Sequence, residues 1–407
     1  MSHGHDEIQP AQGRADFAKT MPLGGALLLV GGGLCAMAYS QSQTHFFQSY
    51  LYGFTFWMIL TLGCFGLTLM HHTVRGRWSL PLLRIWEAGG GAPMLIAMGL
   101  AFLPIMAGMN EIYHWTDKHA PFDAVVSGKR WWLNDQFFMM RQGIYWFIWV
   151  VIAAVLRASS LREDRTRNTS EASRRTNISA PMLFLFLCMV TVCWTDWVMS
   201  VQVHWFSTIW GALFLVYQGL MALAFGGMVF MLNAKKAPYN TFVNKQTTKD
   251  IGNMMFAFTM LWGYLTLSQY LIIYSANLPE ETPYFVYRTE GGYNILGVAT
   301  VLGSFFIPFL LLIAPRIKAA SNTLLGAAAL IFFVRVIDVF WVVIPSFYSG
   351  EAARSGLGVQ VGDLGSLLAI GGLWLIVFAL QMKRAELVPL HDPRVQEALP
   401  EGAQHAS

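Results

Sequence analysis

Ten runs of apolar residues divide the chain, near 21–39, 46–70, 89–109, 137–156, 181–201, 205–232, 251–276, 292–314, 322–345 and 362–382. An α-helix rises 1.5 Å per residue, so about twenty apolar residues cross the ~30 Å of hydrocarbon in a bilayer. With no water at that depth, a spanning backbone must satisfy its own polar groups, which a helix does. The pattern predicts an all-α integral membrane protein with ten transmembrane helices and both chain ends on one side. The first run lacks a small-residue cleavage site at its flank and reads as a retained helix, not a signal peptide.

The polar residues between the runs predict a domain plan. Residues 1–20 form a flexible tail, 21–156 carry spans one to four, 157–180 form a mobile basic linker, 181–382 carry spans five to ten, and 383–407 form an extended tail with Pro389, Pro393 and Pro400. The linker holds Arg157, Arg162, Arg165, Arg167, Arg174 and Arg175 among Ser, Thr and Asn. Lys and Arg outside the spans number 20 on the side of the tails and 5 on the other. By the positive-inside rule the termini are cytoplasmic. The opposite loops, 110–136, 277–291 and 346–361, are acidic and aromatic, which suits docking of a periplasmic partner. Small residues at Gly24, Gly25, Gly31–Gly33 and Gly89–Gly91 permit close helix approach.

Composition narrows the classes. Hydrophobic residues make up 55% of the chain and charged ones 12%, which a soluble domain of 407 residues would not show. The net charge of +4 comes from one-sided loops and is no sign of nucleic acid. Cys35, Cys64, Cys188 and Cys193 all fall in apolar runs without C-x-x-C spacing, so the sequence encodes no iron–sulfur cluster, zinc knuckle or covalent haem. Haem b would need two histidines at matched depth on facing helices. No such pair occurs at mid-depth, and His45 with His204 near the outer face stays open as an alternative. His3, His5, Asp6 and Glu7 could bind a metal weakly in a disordered tail. No P-loop or Rossmann fingerprint occurs.

The chemistry concentrates around Asp196, an acid inside an apolar run. Asp196 and Ser200 share a helix face at i, i+4, and His204 follows if the helix persists one more turn. Two readings stand: a group passing protons between interior and water, or a hydrogen-bond partner for a neighbouring helix. An Asp at mid-bilayer costs about 2.5–3.5 kcal/mol on insertion scales, so it is seldom kept without a partner or a role. Arg335 and Asp338, three apart on the ninth span, predict an ion pair. Arg141, Asp196, Gln269 and Asp338 fall in the outer halves of their helices and, with Tyr264, Thr266 and Ser268, predict a polar path opening outward. On the inner side His71, His72 and Glu87 flank a short basic link from Arg75 to Arg84, as either the mouth of an inward half-channel or interfacial anchors.

Several segments carry a family resemblance: Leu69–His72 with Gly76–Trp78 and Glu87, Trp132–Asn134 with Arg141, Asp196–Trp197 with His204–Thr208, Met254–Trp262 with Ser268–Tyr274 and Asn277–Glu281, and Asp338–Trp341 with Pro345. The chain resembles the ActF family of membrane subunits of bacterial alternative complex III, relatives of the NrfD-type polysulfide-reductase membrane subunits, from about residue 20 to 382. The resemblance implies two four-helix bundles, spans two to five and six to nine, flanked by spans one and ten. It implies a place in the bacterial inner membrane, in a respiratory quinol:cytochrome c oxidoreductase. Partners would be a sister NrfD-like quinol-binding subunit, an iron–sulfur protein, multihaem and monohaem cytochromes c and other small membrane subunits, with haems and clusters on those partners. Contact with a quinone, menaquinone or ubiquinone, and a proton path through Asp196, Arg141, Gln269, Arg335, Asp338, His71, His72 and Glu87 are implied with it. A stand-alone secondary transporter is the alternative that ten spans with buried charges would also suit.

Overall fold

The computed structural model describes residues 11–117, 122–168, 170–348, 358–389, 392 and 394. Among these, ten helical spans are long and apolar enough to cross a membrane: Thr20–Gln41, Gln43–Val74, Leu80–Ala107, Asp135–Thr166, Ser170–Val201, Trp210–Leu232, Lys245–Ala276, Tyr293–Ile313, Ser321–Phe347 and Val361–Lys383. No strand occurs among the described residues. The two ends of this helical array lie on one face, the basic face, as the even number of spans requires.

The second and sixth spans pack against each other at the centre, because they are apolar all round and most residues of each are buried. Spans three, four and five complete a bundle with the second, and spans seven, eight and nine complete one with the sixth. The first and tenth spans pair on the flank. Their backbones touch there: a Cβ on Gly31 would lie 2.2 Å from the Ala369 amide nitrogen, so only glycine allows the approach. Of the other predicted contact glycines in this span, Gly25, Gly32 and Gly33 face open space.

Three expectations are corrected. The segment 157–180 is not a mobile linker: the fourth span runs on to Thr166 and the fifth begins at Ser170, because Ser, Thr, Asn and Arg tolerate helix and the arginines find acids. The third span does not start near residue 89. It begins at Leu80, so Arg84 is inside a helix and buried, and the helix breaks at Gly90–Gly91 before resuming at Ala92. A Cβ on Gly90 would meet the Phe65 amide nitrogen at 2.3 Å, so the break lets the third span press on the second. The tails are also partly packed: Ala15 and Phe17 are buried, the Ala15 amide donates to the Ala237 carbonyl, and Leu387 and Val388 are buried beside the basic face. His3, His5, Asp6 and Glu7 lie outside the described residues.

Candidate functional site

The first bundle holds two separate charged clusters at its opposite ends. On the far face, Asp196 is wholly buried at the end of the fifth span. The Arg141 guanidinium, from the fourth span, donates to both of its oxygens, Nε to Oδ2 at 2.8 Å and Nη2 to Oδ1 at 2.9 Å. Trp132 Nε1 donates to Oδ1 and Tyr145 Oη to Oδ2, each at 3.0 Å. The remaining guanidinium nitrogen of Arg141 donates to the Trp132 carbonyl, and the rings of Trp132 and Phe137 lie 4.2 and 4.4 Å from its carbon. Four donors on one carboxylate and a bidentate cation make this a saturated ion pair.

The expected continuation to His204 does not form. The helix ends at Trp197, and a short 3-10 turn, Met199–Val201, follows. Ser200 Oγ donates back to the Asp196 carbonyl at 2.6 Å, capping the helix and not reaching the carboxylate. His204 is largely exposed, with Nε2 2.6 Å from Asp123 Oδ2. The two residues share the wall of an open far-face cavity of about 990 Å³ with Trp205 and Tyr284, whose rings stack at 4.2 Å. Asp123 also caps the helix Ala124–Lys129. Desolvation works against its charge, but the Val126 and Val125 amides and the His204 imidazole together hold its carboxyl below the usual range.

On the basic face the structure brings His71, His72 and Glu87 together, as expected, and adds residues that sequence reading missed. Arg84 Nη1 donates to Glu87 Oε2 at 2.6 Å and to Ser160 Oγ at 2.8 Å, and its other terminal nitrogen pairs with Asp164. Arg157 pairs with Glu87, and Arg175 with Glu163. His72 Nε2 lies 3.9 Å from Glu87 Oε1, and His71 Nδ1 lies 2.6 Å from Ser79 Oγ. Glu87 Oε1 and the Nε2 atoms of both histidines are buried without a protein hydrogen-bond partner. Glu87 and Arg157 border a void of about 10 Å³ at the Gly90–Gly91 break, room for about one water. The signal that could have found Arg84 is its i, i+3 spacing to Glu87, hidden by reading 75–84 as a link.

Arg141 and Arg157 lie on one helix, sixteen residues apart (157 − 141), which at 1.5 Å each separates the two clusters by about 24 Å. Between them pack Trp149, Trp194 and Trp197, all wholly buried, with edge-to-face ring contacts at 6.1 and 5.3 Å. No polar chain among the described side chains links the clusters.

In the second bundle Arg335 and Asp338 form the expected ion pair, both wholly buried. Tyr217 Oη donates to Asp338 Oδ1 at 2.8 Å, and Ser304, on a π-helical turn Leu302–Phe306, approaches Oδ2 at 3.5 Å. Unlike Arg141, Arg335 leaves Nε and Nη2 without a hydrogen-bond acceptor. Gln269 is buried with Oε1 unpartnered, but Tyr264 is 67% exposed and points away, so the predicted outward polar path does not include it. Arg288, which sequence reading did not single out, is buried and donates to the Val342 and Trp341 carbonyls, where it caps the end of the ninth span.

Together these features define the class: a ten-span helical membrane protein with ionisable clusters inside its bundles. No protein-family model matches the chain, and no curated protein matches it.

Proposed function

We propose that the chain is an integral subunit of a bacterial respiratory quinol:cytochrome c oxidoreductase, seated in the inner membrane with cytoplasmic termini, where it supplies scaffold and a proton path. The observation that carries this reading is the basic-face cluster: Glu87, with one oxygen free of protein donors, beside His72 and a water-sized void at a helix break. Buried ionisable groups inside spans are costly and are kept chiefly for charge movement or pairing. Glu87, paired with Arg84 and Arg157, supplies the counter-charge at the inner end of the path, and His71 and His72, each with an unpartnered Nε2, pass the proton between it and the cytoplasm. Because tryptophans pack between Glu87 and the saturated Asp196 pair, we assign the outer end of the path to the less saturated Arg335–Asp338 pair.

A quinone does not fit beside Glu87, where the void is about 10 Å³. The far-face cavity has the volume of a small-molecule site. There His204 and Asp123 would accept the hydroxyl hydrogens of a quinol headgroup, and Tyr284 would give it an aromatic wall. A quinol supplies two electrons and two protons, and the electrons pass to haems and clusters on partner subunits.

A secondary transporter is the second reading, favoured by the broken third span, since broken helices build transporter sites. The seventh span, its positional counterpart, is continuous from Lys245 to Ala276, which weighs against a paired site.

The test is to purify the tagged chain from native membranes in mild detergent. Stoichiometric c-type haem with an iron–sulfur partner is expected, and a colourless, partner-free chain would overturn the reading. In the assembled complex Glu87→Gln should slow coupled quinol oxidation about tenfold, equivalent to ~1.4 kcal/mol on the barrier. Wild-type rate and coupling in that variant would remove Glu87 from the path.

A further inference from the structure

The two bundles treat their basic-face charges differently. In the first, Arg84, Arg157 and Arg175 are matched by Glu87, Asp164 and Glu163. In the second, the connections 233–250 and 315–321 are predominantly basic, and Lys235 and Lys236 stand side by side in the first of them. Lys235, Lys236 and Lys245 line a cavity of about 870 Å³ between the ends of the sixth, seventh and ninth spans. No Asp or Glu is among the described lining residues.

Two further features of this cavity are independent of the lysines. The N-termini of the seventh and ninth spans both open into it, through Asn244 and Lys245 and through Ser321 and Asn322. The ninth span has Ala320 at its N-cap and no side-chain cap, so its first amides are without an intrahelical acceptor. Helix N-termini favour anions through those amides and the helix dipole. At the membrane end of the cavity Leu232 is 61% exposed, and Leu325 joins it in the wall. One side of the cavity therefore offers positive charge and amide donors, and the other offers an apolar surface continuous with the outer surface of the spans.

We infer that this cavity is a binding site for the phosphodiester headgroup of an anionic phospholipid, with the acyl chains lying along Leu232 and Leu325. Charge complementarity fixes the headgroup as anionic, and the apolar rim selects a lipid over free phosphate. The site is distinct from the Glu87 cluster and does not depend on the quinol reading. Basic pockets between spans are a general means of holding such headgroups.

The test uses the full chain in detergent, titrated with phosphatidylglycerol or phosphatidylcholine and followed by native mass spectrometry. Phosphatidylglycerol should bind more tightly than phosphatidylcholine and weaken as salt rises. Lys235→Ala and Lys236→Ala should each weaken it roughly fivefold. Arg165→Ala, which removes the same charge from the first bundle's exposed surface, should leave binding unchanged. Lys235→Arg should retain it. Inorganic phosphate at millimolar concentration should not displace the lipid. Equal binding of the two lipids, an equal loss in the Arg165 variant, or displacement by inorganic phosphate would each overturn the proposal. The wild-type lipid comparison stands even if a variant fails to fold.

Discussion

Asp196 and Asp338 are both buried carboxylates paired with arginine, yet their surroundings differ. Moving a charge out of water costs several kcal/mol, and the pair repays it only when the remaining lone pairs and hydrogens are also satisfied. Asp196 meets that condition with Arg141, Trp132 and Tyr145, so its role is to lock the fourth span to the fifth. Asp196→Asn keeps the shape but leaves Arg141 as a buried cation without a counter-charge, and should destabilise the protein by about 3–5 kcal/mol. Thermal denaturation of the purified variant measures this, and replacing Arg141 by Met as well should recover part of the loss. A single variant melting like wild type would contradict the structural role. Asp123, outside the spans, supplies the pH dependence. Its carboxyl is held below its usual value, so the stabilisation it gives is fully present above the unfolded value near ~3.9 and is lost as pH falls through the lower folded value. Hydrogen exchange at the capped amides of Val125 and Val126 should therefore accelerate below about pH 4 relative to the helix cores, and an unchanged ratio would count against the cap.

At the scale of helices, the spans were legible because each is governed by one local property, an apolar stretch of membrane length. The limits of the first, eighth, ninth and tenth spans lie within about two residues of those read from the sequence. What was not legible came from contacts between elements. The stretch from Arg75 to Arg84 looked like a link because Arg84 is charged, and that charge is met by Glu87 three residues further along the same helix and by Asp164 from the fourth span. The arginines at 157–175 looked like a solvated linker for the same reason. His204 looked like a third member of the Asp196 face because i, i+4 spacing assumes a continuing helix, whereas the chain turns after Trp197. Pairing of Arg335 with Asp338 was readable because it is local. The flank is a direct test of element packing. Gly31→Val would place a side chain against the Ala369 backbone, at a typical overpacking cost of ~1–3 kcal/mol. A cysteine pair engineered across the first and tenth spans should crosslink less efficiently in that variant, and equal crosslinking would show that the backbones do not touch there.

At the scale of the whole molecule, the described segments that flank the first and last spans close the basic face over the Glu87 cluster. Gln381 donates to the Ala88 carbonyl at 2.7 Å, beside the helix break, and Leu387, Val388 and Asp392 are buried just beyond it. Asp392 bonds to Arg394, and the charges of Asp392 and Arg175 act on each other. Arg14 pairs with Glu386 at 3.1 Å on the exposed surface, so the segment before the first span lies against the segment after the last. Burying Leu387 and Val388 is worth roughly 1.5–3 kcal/mol apiece on area transfer, enough to keep this cover seated most of the time. A cluster with acceptors free inside a membrane bundle needs controlled access to water, and this cover sits where that access would be. Ending the chain after Arg384 should then leave the ten spans assembled but raise hydrogen exchange at the basic-face ends of the second and fifth spans, where His71, His72 and Arg175 lie. Exchange that rises over every span instead would mean the segment holds the whole fold, and exchange that does not change would mean it covers nothing.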